Sequence, residues 1–113
     1  MKVIHYTDVP AEPIEGLPGV TIRWCVSAAD GAPRFALRVF EVEPGPGHGS
    51  PKHTHWWEHE VFILSGTGVV WTPEREELLR PGHVVYIPPD VEHQFRNTGD
   101  DVLRFICVVP VGI

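Results

Sequence analysis

The sequence predicts an all-β fold, a sandwich or a closed barrel built from short strands. Three observations carry this reading. Twelve prolines and eleven glycines break the chain so often that no helical-period pattern survives beyond a turn or two. The segments left between them are short and rich in β-branched and aromatic residues. Turn signals such as Asp30-Gly31, Pro44-Gly45, Pro81-Gly82 and Gly99-Asp100 recur at the spacing that many short strands require.

Taken in order, the predicted strands are Lys2 to Tyr6, Val20 to Val26, Phe35 to Glu43, His59 to Leu64, Gly68 to Thr72, Glu76 to Leu79, Val84 to Pro88, Glu92 to Arg96 and Val102 to Val109. Each alternates apolar positions or runs between turn residues. In the last, Leu103, Phe105, Cys107 and Val109 share one face, and Val102, Arg104, Ile106 and Val108 share the other. Both faces are largely apolar, and Val61 and Ile63 against Phe62 and Leu64 repeat the pattern. One face then lines an interior while the other meets a second sheet or a second subunit, which predicts a homodimer. The stretch Glu43 to Pro51, EPGPGHGSP, is too short to separate domains and reads as a loop beside a site.

A chain of 113 residues is the size of one ordinary domain, so one domain over residues 1–113 and one site are expected. Its 42% hydrophobic and 21% charged residues are those of a folded globular chain. The net charge of −6, with nine Lys and Arg scattered among acids, leaves no basic stripe for phosphates and argues against nucleic acid. No apolar run reaches the roughly 20 residues of a membrane span, and Met1-Lys2-Val3 opens no signal peptide, so a cytoplasmic protein is expected. Cys25 and Cys107 lie in unrelated apolar contexts and read as two reduced core thiols.

Seven histidines is a high count for this length. His53 and His55 are two apart, so an extended backbone projects both from one face, and His59 keeps the same parity across Trp56-Trp57-Glu58. His93 must come from another strand, as a fourth ligand across a barrel would. Three imidazoles of one parity leading into Val61-Phe62-Ile63-Leu64 would be costly to bury without a shared purpose. A single histidine is more often a surface or satisfied core residue, and His5, His48 and His83 are read so.

These residues resemble the cupins. That family carries a first motif G-x5-H-x-H-x3-E-x6-G and a second, G-x5-P-x-G-x2-H-x3-N. Here the first reads Gly47, His53-Thr54-His55, His59, Gly66, and the second reads Gly82, Pro88-Pro89-Asp90, His93, Asn97, with the spacing kept at every step. Two positions depart: His59 stands where the family usually has glutamate, and Asp90 replaces a glycine. Glu60 is one residue out of register and would point to the opposite face of a regular strand. The string Trp57-Glu58-His59-Glu60 resembles that of small one-domain members with four histidines. The resemblance implies a double-stranded β-helix (jelly-roll barrel) and one divalent transition metal, Mn, Fe, Cu, Ni or Zn, on His53, His55, His59 and His93. It further implies an N-terminal strand around Val3 to Tyr6 that crosses to a partner.

Four neutral imidazoles leave the ion its full charge and open positions for a small-molecule substrate. Parity places Phe95 and Asn97 beside His93, and Phe105 and Cys107 facing inward. Arg38, inside the apolar run Phe35 to Phe40, either meets an anionic ligand or buried acid, or turns outward and covers the sheet with its stem. Of Trp56 and Trp57, at least one is expected in the core. Three functions fit: an oxygenase-like metal-dependent oxidoreductase, towards which the ligand set leans; a non-redox isomerase or lyase; and a small-molecule binding module.

Overall fold

The computed structural model describes all 113 residues. Nine strands form: β1 Glu12–Pro13, β2 Val20–Val26, β3 Phe35–Val42, β4 His59–Ser65, β5 Gly68–Trp71, β6 Glu76–Leu79, β7 Val84–Ile87, β8 Gln94–Asn97 and β9 Leu103–Pro110. They make a six-stranded sheet in the order β1-β2-β3-β9-β4-β7 and a three-stranded sheet in the order β6-β5-β8. The fold is all-β, two sheets facing each other as a barrel, as the strand pattern and the resemblance led one to expect. From β2 onward the predicted strands start and stop within two residues of those observed.

The alternation that identified β9 also explains its burial. Leu103, Phe105, Cys107 and Val109 are buried against the smaller sheet, whereas Arg104, Ile106 and Val108 on the other face are half-buried. Val61, Ile63 and Ile87 from the large sheet meet Val70, Leu79 and Phe95 from the small one in a single core. The segment before His53 extends the small sheet beside β8. Ser50 N donates to Phe95 O, and His53 and His93 exchange both backbone bonds, at 3.1 and 3.0 Å. That exchange brings the two histidine-bearing segments of the sequence to one place.

Lys2 to Tyr6 corrects the sequence reading: it forms no strand within this chain, and a short 3-10 turn at Tyr6–Asp8 replaces its end. Its apolar alternation finds no ladder partner. Instead Lys2 Nζ donates to Cys25 O at 2.8 Å and pairs with Asp30 at 2.7 Å, and the Tyr6 ring faces the guanidinium groups of Arg23 and Arg104. Those two arginines grip Glu41 from either side, at 2.6 and 2.8 Å. Burial alone would raise the Glu41 carboxyl, but the paired arginines hold it below the usual range. The two-residue strand β1 was not foreseen, because Glu12–Pro13 is too short to show a period.

Both thiols are free and buried. Gly66 is required by its surroundings: its φ is +82°, and a Cβ there would lie 2.3 Å from the Val102 carbonyl oxygen. Asp90 also adopts a positive φ, of 65°, the conformation that a glycine would take without strain and that Asp tolerates better than most residues. No helix is long and apolar enough to cross a membrane.

Candidate metal centre

The four histidines predicted from spacing come together between the two sheets. His53 ends the segment that flanks β8, His55 lies two residues on, His59 opens β4 in the large sheet, and His93 just precedes β8. Their ligand nitrogens all lie within 4.8 Å of one another. His59 and His93 are buried, His55 is half-buried, and His53 stands at the open rim. Glu60 is exposed, on the opposite face of β4 from His59.

The hydrogen bonds decide which nitrogens face the centre. His55 Nδ1 lies 2.8 Å from the Trp57 carbonyl, and His93 Nδ1 lies 2.8 Å from the Val91 carbonyl. A carbonyl only accepts, so each Nδ1 carries the hydrogen and each Nε2 presents a lone pair to the centre. His93 Nε2 is buried without any partner. His55 Nε2 and His59 Nε2 are 2.9 Å apart, close enough that a proton or a cation must lie between their lone pairs. Converging imidazole lone pairs, one of them orphaned, are the donor set of a borderline transition ion, so the residues present fit a metal.

Electrostatics keeps the set ready. Burial, and then the neighbouring His55 and His93, push the His59 imidazole down to about 3. Partial burial of the ring on its inward side, followed by His93 and His55, pushes His53 down to about 4. Burial also lowers His93, against a raising contribution from its bond to Val91. At neutral pH these three rings are uncharged, which metal ligation requires.

Side chains behind the ligands fix their orientation. The Trp57 indole stacks on His55 at 4.0 Å between centroids. Cys107 Sγ lies 3.0 Å from His59 Nδ1 and receives a hydrogen bond from an Arg38 terminal nitrogen at 3.1 Å. Burial raises the Cys107 thiol, with Arg38 opposing. Of the two sequence readings of Arg38, the inward one holds: it is 9% exposed and sits in register between Trp24 on β2 and Cys107 on β9.

The cluster opens into a cleft of about 590 Å³ that includes Arg38, Phe95, Phe105 and Cys107, all named from the sequence. Asn97 is a correction. It shares the parity of His93 but lies at the far end of β8, where its amide donates to the Val42 and Asp101 carbonyls. Trp57 packs against the core, whereas Trp56 is exposed. The sequence reading missed Ile22, Trp24 and Phe40 as cleft residues; the parity of Val20, Ile22 and Trp24, and of Arg38 and Phe40, carried that signal. His5 caps the first 3-10 turn, His48 packs against Gly19 and Gly45, and His83 accepts from Arg80 N.

Comparison with known proteins agrees with this geometry. The model of the cupin domain matches residues 39–109. Protein SchB of Streptomyces halstedii is 37% identical over 106 residues, which span 93% of this chain and 74% of that protein. The 1-methylthio-D-xylulose 5-phosphate methylsulfurylase of Rhodospirillum rubrum is 40% identical over 73 residues, 65% of this chain and 46% of that protein. The chain thus matches about half the length of that relative. Among solved structures, the polyketide cyclase RemF from Streptomyces resistomycificus superposes with a TM-score of 0.89 at 38% identity, covering 97% of this chain and 79% of that one. The chain belongs to the cupin family, and its four histidines converge where the family's two motifs meet.

Proposed function

We propose that this chain is a metal-dependent enzyme acting on a small, largely apolar organic molecule, with one divalent transition ion held by His53, His55, His59 and His93. The observation that carries the reading is the convergence of these nitrogens within 4.8 Å at the floor of an apolar cleft. When bound, such an ion supplies Lewis-acid polarisation of a substrate oxygen.

The chain's own residues do the rest. Phe40, Phe105 and Phe95 form a stacked wall in that order, with successive centroids 5.4 and 5.2 Å apart, that lowers the water content around the buried His59 and His93. Trp57 and Cys107 hold two of the rings in place. No Asp or Glu lines the cleft, so proton movement there falls to the imidazoles, to Cys107 or to the substrate itself.

The name of one similar solved structure, a polyketide cyclase, supports a non-redox ring-closing or enolate chemistry at this site. Oxidation of a small organic molecule, towards which the sequence leans, would use the same ligands and the same cleft. Loading the metal-free protein separately with Zn, Mn, Fe, Ni and Cu separates the two. Turnover of diketone and enolisable substrates with zinc and without oxygen consumption supports the Lewis-acid reading. Turnover only with redox-active ions, coupled to oxygen or peroxide loss, transfers the assignment to an oxygenase.

The same proposal includes a homodimer. Phe62, Val84 and Tyr86 are exposed on the outer face of β4 and β7, beside half-buried Ile106 and Val108, which is an apolar face that a second copy would cover. Light scattering at micromolar concentration should give twice the chain mass. The monomer mass would reject it.

A further inference from the structure

We infer that the cleft recognises a small planar organic anion, a carboxylate or an enolate-type oxygen on an apolar body, and that Arg38 is the residue that selects it. This deepens the proposed function, because it rests on the same cleft.

Arg38 is a charge with no counter-charge. Only 9% of it is exposed, and no carboxylate lies within 4 Å of its guanidinium. Its one hydrogen bond goes to the Cys107 sulfur, a weak acceptor. Its Nε is buried with no partner at all. Burying a cation without a counter-ion is costly, and no acidic side chain is paired with it. The flanking rings of Trp24 and Phe40, 5.4 and 4.9 Å from the guanidinium carbon, offset part of that cost through their faces but take up none of its N–H donors.

Position and shape then specify the ligand. Arg38 lines the same cleft as the four histidines, with a single sulfur atom between its guanidinium and the His59 ring. A planar fork of N–H donors matches two oxygens, or one oxygen on a trigonal carbon, better than it matches a spherical ion. The remaining walls, Ile22, Phe40, Phe95 and Phe105, suit a flat apolar body. No acidic side chain lines the cleft to repel an anion.

The test compares isosteres on the metal-loaded protein. Benzoate and hexanoate are titrated against benzamide and hexanamide, by calorimetry and by quenching of tryptophan fluorescence, and the series is repeated on metal-free protein. The acids should bind at least about tenfold more tightly than the amides in both forms, the size expected for hydrogen bonds to a charged group. Arg38→Met should abolish the preference for acid over amide, read as the ratio of the two affinities on the same protein, and Arg38→Lys should restore part of it.

Acids and amides binding alike to the wild type, or neither binding, overturns the proposal without reference to any variant. So does a preference that survives Arg38→Met but vanishes on metal removal, since the anion would then be a ligand of the ion. Metal content, measured separately, shows whether the proposed metal function stands or falls independently.

Discussion

His59 makes the metal-free protein sensitive to acid in a calculable way. Its imidazole is held at about 3, chiefly by burial and then by the neighbouring rings, against an ordinary value near 6.5 in the unfolded chain. Between those values the unfolded chain takes up a proton that the folded chain refuses. Stability therefore rises with pH across this window, and is lost as pH falls from about 6.5 towards 3. From about pH 7 to about pH 5 the His59 contribution amounts to about 2 kcal/mol, because each unit of separation is worth about 1.4 kcal/mol once the unfolded chain is protonated. The assay is urea unfolding in the presence of a chelator, at both pH values, for wild type and His59→Gln. Glutamine does not titrate, so the difference between the two pH losses cancels whatever the substitution costs at neutral pH. The wild type should lose about 2 kcal/mol more than the variant over that interval. Equal losses would show that His59 is not buried as a neutral ring, and would refute the reasoning.

Three further outcomes follow from individual side chains. A divalent transition ion at about a thousand times its dissociation constant should stabilise the wild type by about 4 kcal/mol in thermal unfolding. His53→Ala and His93→Ala should lose most of this gain and most bound metal, whereas His5→Ala keeps both. Asp90 pairs a positive φ with a backbone bond to the His55 carbonyl at 2.8 Å. Asp90→Val should therefore cost about 1–3 kcal/mol in denaturant unfolding and weaken metal binding, and Asp90→Gly should do neither. Asn97→Ala strands the buried Val42 carbonyl, so it should cost about 1–3 kcal/mol in unfolding while metal content measured by elemental analysis is unchanged.

The site was more legible than the chain's first residues. His53, His55 and His59 converge as their spacing suggested, although the chain bends at Trp56-Trp57 and only His59 lies on a strand, and His93 meets them because it and His53 form an antiparallel bridge. The N-terminal segment was not legible, since alternation in Val3, Ile4 and Tyr6 says nothing about whether a ladder partner exists. Here the outer face of the sheet is polar around Glu41 and takes Lys2 and Tyr6 as caps rather than as strand residues. Parity placed Asn97 on the right face but could not measure depth along β8, so a backbone anchor was read as cleft wall. Arg38 was ambiguous for a different reason. Both faces of β3 are apolar, and only the register with Trp24 and Cys107 shows which of them turns inward.

The central claim, one ion on four imidazoles, is tested most directly by anomalous diffraction at the absorption edge of the metal in crystals grown from metal-loaded protein. The account predicts a single peak within about 2.0–2.3 Å of a nitrogen from each of His53, His55, His59 and His93. A peak coordinated by Glu60, or a His59 ring turned to solvent with the ion elsewhere, would contradict it.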